Sequence, residues 1–194
     1  MTTEVSSLPL PVEFDVEYPE RSSRLLIFVK WLLIIPHIIV LYALNIVAGL
    51  LTFIAWFGIL FTGRYPRGMF NFVVGYYRWT YNIGAYVYLL RDEYPPFSLE
   101  SSRYPVTFEV EYPERLSRLL IFVKGLLVIP NVIVLYFVLL AWMVTTFIAW
   151  FAILFSGRYP KGLFDFAVGT LRWMARVNAY VLLLRDEYPP FSLR

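Results

Sequence analysis

The sequence contains no cysteine, only one histidine and few charged residues. Without cysteine the chain can form neither disulfides nor thiolate metal sites, and it has no thiol nucleophile. Charged side chains make up 16% of the 194 residues while 59% are hydrophobic, a balance outside that of an ordinary soluble domain. The net charge of +3 is small, and no basic run stands apart from the apolar segments, so nucleic-acid binding is not expected.

The apolar residues are gathered into two long runs. In residues 25–61 the only side chains that are charged or titrate near neutral pH are Lys30 and His37, and in residues 119–155 the only one is Lys124. Thirty-seven residues with so little charge exceed one membrane span. Composition therefore predicts a multi-pass integral protein of the cell (inner) membrane, with phospholipid among its partners.

The chain is one segment written twice. Residues 11–99 align without a gap to residues 105–193, and 59 of the 89 aligned pairs are identical. Both copies carry the motifs E-Y-P-E-R, G-R-Y-P and R-D-E-Y-P-P-F-S-L in the same order. We expect two equivalent repeats after a polar tail, 1–10, which lacks the features of a removable signal peptide. Any function should appear in duplicate or at the seam, the boundary where the two repeats meet.

Each repeat opens with residues of alternating polarity, at 12–16 and 106–110. Valine and phenylalanine alternate there with carboxylates and threonine, which predicts a short strand, and the two strands could pair with each other.

The apolar run that follows is expected to fold as a transmembrane helical hairpin. As a single helix its 37 residues would be about 55 Å long, nearly twice the hydrocarbon thickness. The turn is placed at 43–51 and at 137–145, where the two copies differ at all nine positions. In the alternative layout the run breaks at Pro36 and Pro130, so that the residues before each proline lie along the interface and those after it span the membrane.

Residues 69–90 follow the G-R-Y-P turn and are predicted to form an amphipathic helix. Arg78 lies on its polar stripe, and Arg172 and Arg176 lie on the equivalent stripe of the second repeat. An arginine at the middle of a span costs about 2.5–3.5 kcal/mol. We therefore expect this helix to lie at a shallow angle in the interface, with its arginines toward water or headgroups.

The predicted fold class is thus mainly α and membrane-embedded, with a strand, a transmembrane hairpin and an amphipathic helix in each of two parallel repeats. Two crossings per repeat would return the chain to its starting side, which implies a pseudo-twofold axis along the membrane normal. The strands and motif loops would then share one face, expected to be cytoplasmic because arginines gather there.

Taken together, the motifs resemble a family. The E-Y-P-E-R opening, the I-P-H or I-P-N of the apolar run, the L-F-x-G-R-Y-P turn and the closing Y-P-P-F are similar to a bacterial integral-membrane family of unknown function, often found as tandem copies. The resemblance covers about 11–193 and implies membrane residence and a repeat fold. It implies no activity, no cofactor and no catalytic residues.

Four polar residues within the apolar runs are candidates for function: Lys30, His37, Lys124 and Asn131. A single histidine could ligate a haem or chlorophyll, but Asn131 holds the equivalent position, so a packed, hydrogen-bonded role is the preferred interpretation. For the two lysines, a transport or proton-relay role competes with snorkelling of the side chain to the interface, which we prefer.

A second candidate group is a set of charged residues expected at one membrane face, where they would pair with one another or bind headgroups. We expect Arg21 and Arg115 each to contact a carboxylate. This charged collar consists of Glu17, Arg21, Arg64, Arg91, Asp92, Glu111, Arg115, Arg158, Arg185 and Asp186.

These observations predict a non-enzymatic integral membrane protein without a cofactor. It would act as a structural or accessory subunit or as a lipid-interacting module, within a larger membrane complex or a homo-oligomer. The alternative is a small transporter or channel with a polar path at the seam.

Overall fold

A computed structural model describes residues 11–101 and 103–194, so the tail expected at 1–10 lies outside the described residues. The expected mainly α fold, with two repeats that each contain a strand and helices, is confirmed. The first repeat consists of β1 (Val12–Val16), a 3-10 helix (Leu26–Phe28), α1 (Lys30–Leu33), α2 (Ile35–Thr62) and α3 (Arg67–Val87). The second consists of β2 (Val106–Val110), α4 (Leu120–Leu127), α5 (Ile129–Ser156) and α6 (Lys161–Val181).

The two strands form an antiparallel ribbon. Phe14 lies directly opposite Phe108, and these residues are equivalent in the two repeats because they are 94 positions apart. A pseudo-twofold axis therefore passes between them. On each strand the first, third and fifth residues are buried and the other two are exposed, so the ribbon has one apolar face toward the protein and one polar face, with carboxylates Glu13, Asp15 and Glu109, away from it.

The expected turns at 43–51 and 137–145 are wrong. Both stretches lie within uninterrupted 28-residue helices, α2 and α5. Neither stretch contains a residue that stops a helix, apart from Gly49, and leucine, alanine and valine continue the hydrogen-bond ladder at little cost. Sequence divergence marked an exposed helix surface, where substitution is tolerated, rather than a turn.

The helical breaks lie instead at Ile34 and Val128, close to the prolines of the alternative layout. Pro36 and Pro130 are each at the start of a long helix. A proline has no backbone N–H, so it cannot complete the ladder with the turn that precedes it. A short helical segment therefore precedes each long helix in both repeats.

Each repeat does contain a helical hairpin, but it is formed by α2 and α3. Gly63 ends α2 with a left-handed φ of 72°, and its N–H donates to the Ile59 carbonyl at 2.8 Å. Pro66 then precedes the first residue of α3. Glycine tolerates this backbone conformation and proline suits a helix start, so the G-R-Y-P motif is the turn of this hairpin. The G-R-Y-P motif of the second repeat joins α5 to α6 in the same way.

The repeat unit has three layers, with α3 in the middle. Toward α2, the Trp79 indole N–H donates to His37 Nδ1 at 3.0 Å. Toward the ribbon, the Tyr81 ring lies 5.2 Å from that of Phe14 and 4.9 Å from that of Phe108. The ribbon therefore covers α3 and α6, and these two helices separate it from α2 and α5.

The repeats exchange contacts across the seam. The Tyr18 hydroxyl donates to the Tyr159 carbonyl, and the Tyr112 hydroxyl donates to the Tyr65 carbonyl. Each E-Y-P-E-R segment thus binds the G-R-Y-P turn of the other repeat. Neither repeat has its full set of hydrogen bonds without the other.

Large apolar side chains dominate the outer surface of the helices. Of the 43 exposed large hydrophobic residues in the described chain, 36 lie in 25–61 and 119–155. Two helical stretches, Ile35–Thr62 and Leu120–Ser156, are long and apolar enough to cross a membrane. In their most apolar windows only 11% and 17% of the residues are buried, so most of this surface faces outward.

Candidate functional site

The two lysines of the apolar runs are buried in matching ion pairs. Lys30 is 2% exposed, and its Nζ lies 2.8 Å from Asp92 Oδ1 and donates to the Arg91 carbonyl at 2.6 Å. The ammonium also lies 4.7 Å from the centre of the Tyr86 ring. Burial lowers the pKa of Lys30, while Asp92 acts in the opposite direction by binding the charged form.

The second repeat reproduces this site. Lys124 Nζ lies 2.8 Å from Asp186 Oδ1 and donates to the Arg185 carbonyl at 2.6 Å. The expected snorkelling of both lysines is therefore wrong, because each side chain is directed into the protein. A carboxylate from the segment after α3 or α6 binds each ammonium within the protein instead of at the interface. In each repeat the pair fixes the segment before the long helix to the segment after the last helix.

The closing R-D-E segments hold further pairs that also bind the strand ends. Arg91 contacts Glu93 at 2.5 Å and donates to the Glu17 carbonyl at 2.8 Å. Arg185 does the same with Glu187 at 2.6 Å and the Glu111 carbonyl at 3.0 Å. The hydrogen bonds from Arg91 lower the pKa of Glu93. The sequence places Glu93 among the charged residues expected at the membrane face, whereas Glu187 was missed, although its equivalent position in the repeated R-D-E motif was a signal for it.

Arg21 and Arg115 make no ion pair within the described chain, contrary to the expected contact with a carboxylate. Both are exposed. The acidic groups that could have received them are already bound, since Asp92 pairs with Lys30 and accepts from the Ser23 N–H at 2.5 Å, and Glu93 pairs with Arg91. The charged collar therefore divides into a paired inner part and an unpaired outer part.

The unpaired arginines form clusters at the ends of the long helices. Arg64 follows α2 directly and lines one cleft together with Arg115 and Arg118 of the second repeat. At the equivalent place after α5, Arg158 is exposed and Arg24 packs on Gly157. We call these the arginine clusters, which consist of Arg64, Arg115 and Arg118 at one end and Arg158, Arg21 and Arg24 at the other.

His37 and Asn131 occupy the same place in the two repeats and both are fully buried. His37 accepts from the Trp79 indole and stacks on Phe97 with ring centres 3.7 Å apart. Asn131 Oδ1 accepts from the Trp173 indole at 2.9 Å, and its Nδ2 donates to a carbonyl of the closing segment at 3.1 Å. Each is thus a polar contact between the long helix and the helix that follows it. His37 Nε2 has no hydrogen-bond partner among the described residues, and the atom is enclosed by protein.

The arginine stripe of the last helix in each repeat faces the ribbon. Arg78 Nη2 lies 2.7 Å from Glu109, and Arg172 Nη2 lies 2.9 Å from Asp15. Their Nε atoms donate to the carbonyls of the facing phenylalanines in the strands. Arg176 donates to carbonyls of the last residues of the chain. The carboxylates were in the sequence at equivalent positions, so the pairing was available as a signal.

The position close to the pseudo-twofold axis bears on the expected polar path. The Asn178 side chain donates to the Tyr81 hydroxyl at 2.9 Å close to the pseudo-twofold axis. Lys30 and Lys124 lie elsewhere, each bound to a partner from its own repeat. In the parts of the chain that the structure describes, no group of three histidine or acidic side chains is placed to hold a metal ion.

Comparison with known families identifies both repeats. Residues 24–98 and 118–192 each match the family described as domain of unknown function DUF4389. The chain belongs to this family. It contains the domain in two tandem copies, which together cover most of its length. Neither curated proteins nor solved structures give a match.

Proposed function

We propose that this protein is a non-enzymatic, lipid-interacting module of the cell membrane, serving as a structural or accessory component. The observation that carries the proposal is the position of its most apolar residues. In residues 25–61 and 119–155 they face outward along both long helices. A monomeric soluble protein rarely exposes a contiguous apolar patch larger than a few hundred Å², so acyl chains are the environment that suits this surface.

The arginine clusters supply the second part of the proposal. Three exposed cations converge at each end, and one cluster combines Arg64 of the first repeat with Arg115 and Arg118 of the second. They lie beside the apolar helices, at the boundary where phosphate headgroups would meet them. Each cation near an anionic membrane surface contributes about 1 kcal/mol to binding. Anionic phospholipid is therefore the partner that this chemistry favours.

The alternative of a small transporter or channel has less support. A polar path at the seam would need unpaired ionisable groups of the two repeats to converge there, yet Lys30 and Lys124 are each closed by a carboxylate of their own repeat. The stripe arginines Arg78 and Arg172 are likewise paired, with carboxylates of the ribbon. Asn178 and Tyr81 bond to each other close to the axis, and the ribbon covers that position on one side.

The first experiment tests membrane residence. Membranes from expressing cells are washed with high salt and then with alkaline carbonate, which releases peripheral proteins. We expect the chain to remain in the pellet and to leave it only with detergent. Release by carbonate would overturn the proposal.

The second experiment tests lipid preference by native mass spectrometry of the detergent-extracted protein, with phosphatidylglycerol added. Arg118→Gln should weaken binding by about fivefold, the equivalent of about 1 kcal/mol for one cation. Arg103→Gln is the matched control, because Arg103 is exposed in the connection between repeats and belongs to neither cluster. Equal affinity in the two variants would contradict the role of the clusters.

A further inference from the structure

We propose that the protein lies flat in one leaflet of the bilayer, with its long helices parallel to the membrane plane and its ribbon facing water. The inference rests on the proposed function, because it specifies how the same apolar surface meets lipid. In this orientation no helix crosses the membrane, in contrast to the crossings expected from the sequence. The partner of the protein is the acyl layer of a single leaflet.

The helical segment of each repeat keeps one general direction. In the first repeat, Asn45, His37 and Lys30 lie in this order along it, because they bond to successively later residues of α3 and the closing segment, at 76, 79 and 91. In the second repeat α4 and α5 follow each other with only Val128 between them, at φ −76° and ψ −16°. We call residues 25–62 the first rod and residues 119–156 the second rod.

Contacts between the repeats show that the rods run antiparallel. The Ser22 N–H, just before the first rod, donates to the Gly157 carbonyl, just after the second, at 2.9 Å. Further along, the Phe28 ring lies 5.2 Å from the Trp150 ring. Residue numbers rise along one rod as they fall along the other. The equivalent contacts at the opposite end join Leu116 to Gly63 and Phe122 to Trp56.

A twofold rotation exchanges the two antiparallel rods. Its axis must therefore be perpendicular to their length. That axis passes between the rods, level with the middle of both, and every residue on it lies at that same level. Phe14 and Phe108 face each other across it in the ribbon, and both pack on Tyr81. The ribbon is therefore level with the middle of the rods and not with either end.

This placement conflicts with rods that cross the bilayer. If they did, the ribbon would lie at the depth of the bilayer centre, beside the rods. Its outer face carries the carboxylates of Glu13, Asp15 and Glu109, and the side chains of Asp15 and Glu109 are 63% and 49% exposed. Exposed carboxylates are not stable in hydrocarbon. The rods are also too long for a crossing, since 37 helical residues extend about 55 Å against about 30 Å of hydrocarbon.

A flat orientation removes the conflict. Helices α3 and α6 separate the ribbon from α2 and α5, so the carboxylates and the exposed apolar surface lie on opposite sides of the molecule. With the axis along the membrane normal, the ribbon is in water, α3 and α6 lie near the headgroups and the rods lie among acyl chains, as in-plane helices do. The pseudo-twofold axis then lies along the membrane normal, as expected from the sequence, but the helices do not cross the membrane.

The distribution of arginines points the same way. The two clusters are equivalent by the repeat, so each rod end has the same number of cations. In crossing rods these would be on opposite sides of the membrane, without the cationic bias that orients spanning helices. In a flat molecule both clusters lie at one headgroup layer.

The test uses the absence of native cysteine. Thr62 and Ser156 are exposed, equivalent residues that end α2 and α5. The double variant Thr62→Cys/Ser156→Cys is reconstituted in both orientations into sealed phosphatidylcholine–phosphatidylglycerol vesicles. It is then treated with an impermeant polyethylene-glycol maleimide, and the number of labels per molecule is read from the gel shift. We expect two labels or none. One label on nearly every molecule would overturn the proposal, and complete double labelling in detergent is the control.

A second pair of variants reports on the ribbon. Glu13→Cys and Thr107→Cys are equivalent exposed positions on its outer face. In the same vesicles, about half of each variant should be labelled before detergent is added, as expected for a face in water on one side of the membrane. Protection of both until detergent is added would place the ribbon within the bilayer and overturn the flat orientation.

The outcomes separate this inference from the function on which it depends. If carbonate releases the protein from membranes, the proposed membrane function fails and so does the orientation. If the protein resists carbonate but takes one label per molecule, only the flat orientation fails.

Discussion

Helices α2 and α3 form one hairpin but have opposite relations between hydropathy and burial. The most apolar window of α2 has a mean hydropathy of 2.4, and only 11% of it is buried. Helix α3 contains Arg78 and the buried Asn82, yet eleven of its 21 residues are buried. In a soluble domain the more apolar helix would be the buried one. Hydropathy therefore does not identify the buried helix here, and packing against the ribbon determines which helix forms the centre.

The largest expected effect comes from breaking the ion pair that joins the segment before α2 to the segment after α3. Asp92→Ala leaves the buried Lys30 ammonium without its partner and removes the acceptor of the Ser23 N–H. Loss of one member of a buried pair costs about 3–5 kcal/mol of unfolding free energy. We expect a correspondingly lower melting temperature in mild detergent, measured by circular dichroism. Asp186→Ala should act equally, because its contacts are the same.

The loss of unfolding free energy in Asp92→Ala should depend on pH in a defined direction. Burial already lowers the pKa of Lys30, and the variant removes the carboxylate that opposes this. Between the folded pKa and the unfolded value of 10.5, the unfolded chain binds more protons at Lys30, so the free energy of unfolding rises with pH. The difference in unfolding free energy between Asp92→Ala and the parent should therefore become smaller as pH approaches 10.5. A gap that widens would show that the ammonium has another anionic partner.

A second prediction compares two isoleucines of α2 itself. Ile59 is completely buried, whereas Ile54 is 48% exposed on the outer surface. Ile59→Ala should cost about 2–5 kcal/mol because it leaves a cavity between packed layers. Ile54→Ala should change stability by no more than about 0.5 kcal/mol in detergent. Thermal melting of both variants in one detergent is the measurement, and equal losses would mean that protein rather than lipid covers the outer surface.

Sequence patterns predicted the local elements well. Alternation at 12–16 and 106–110 predicted the strands and allowed the pairing that they make, and Gly63 and Pro66 were correctly interpreted as a turn. Local rules suffice there because each element is defined by its own dihedrals and its own periodicity. Helix breaks were also predictable from Pro36 and Pro130, but the alternative that used them was ranked second.

The partners of several charged residues could not be predicted, since they depend on contacts between distant parts of the chain. Arg78 pairs with Glu109, from the strand of the other repeat. The equivalent positions of Asp15 and Glu109 mark both as candidate partners, but they do not indicate which repeat supplies the carboxylate. Lys30 was expected at an interface because an isolated lysine snorkels, and only the fold places Asp92 next to it. The error at 43–51 had the same origin. Divergence between copies reported exposure, and the sequence does not distinguish an exposed turn from an exposed helix.

The smallest expected effect tests how closely α3 is covered. At Gly75 an added Cβ would lie 2.5 Å from the Leu99 carbonyl oxygen, whereas at Gly84 it would meet nothing within 4 Å. Leu99 belongs to the closing segment, and its carbonyl also accepts from Arg78 at 3.0 Å. Gly75→Ala must therefore displace backbone and disturb that hydrogen bond, at a cost of about 1–3 kcal/mol.

Gly84→Ala is the matched control within the same helix. Alanine there should raise stability by about 0.5–1 kcal/mol, because it restricts the unfolded chain and favours the helix. The two substitutions add the same methyl group to the same helix, so opposite shifts in melting temperature would isolate the effect of the covering segment. If both variants become more stable, the closing segment is not held on α3. The middle layer would then be covered by the ribbon alone, and the contrast between a buried α3 and an exposed α2 would be weaker than the contacts indicate.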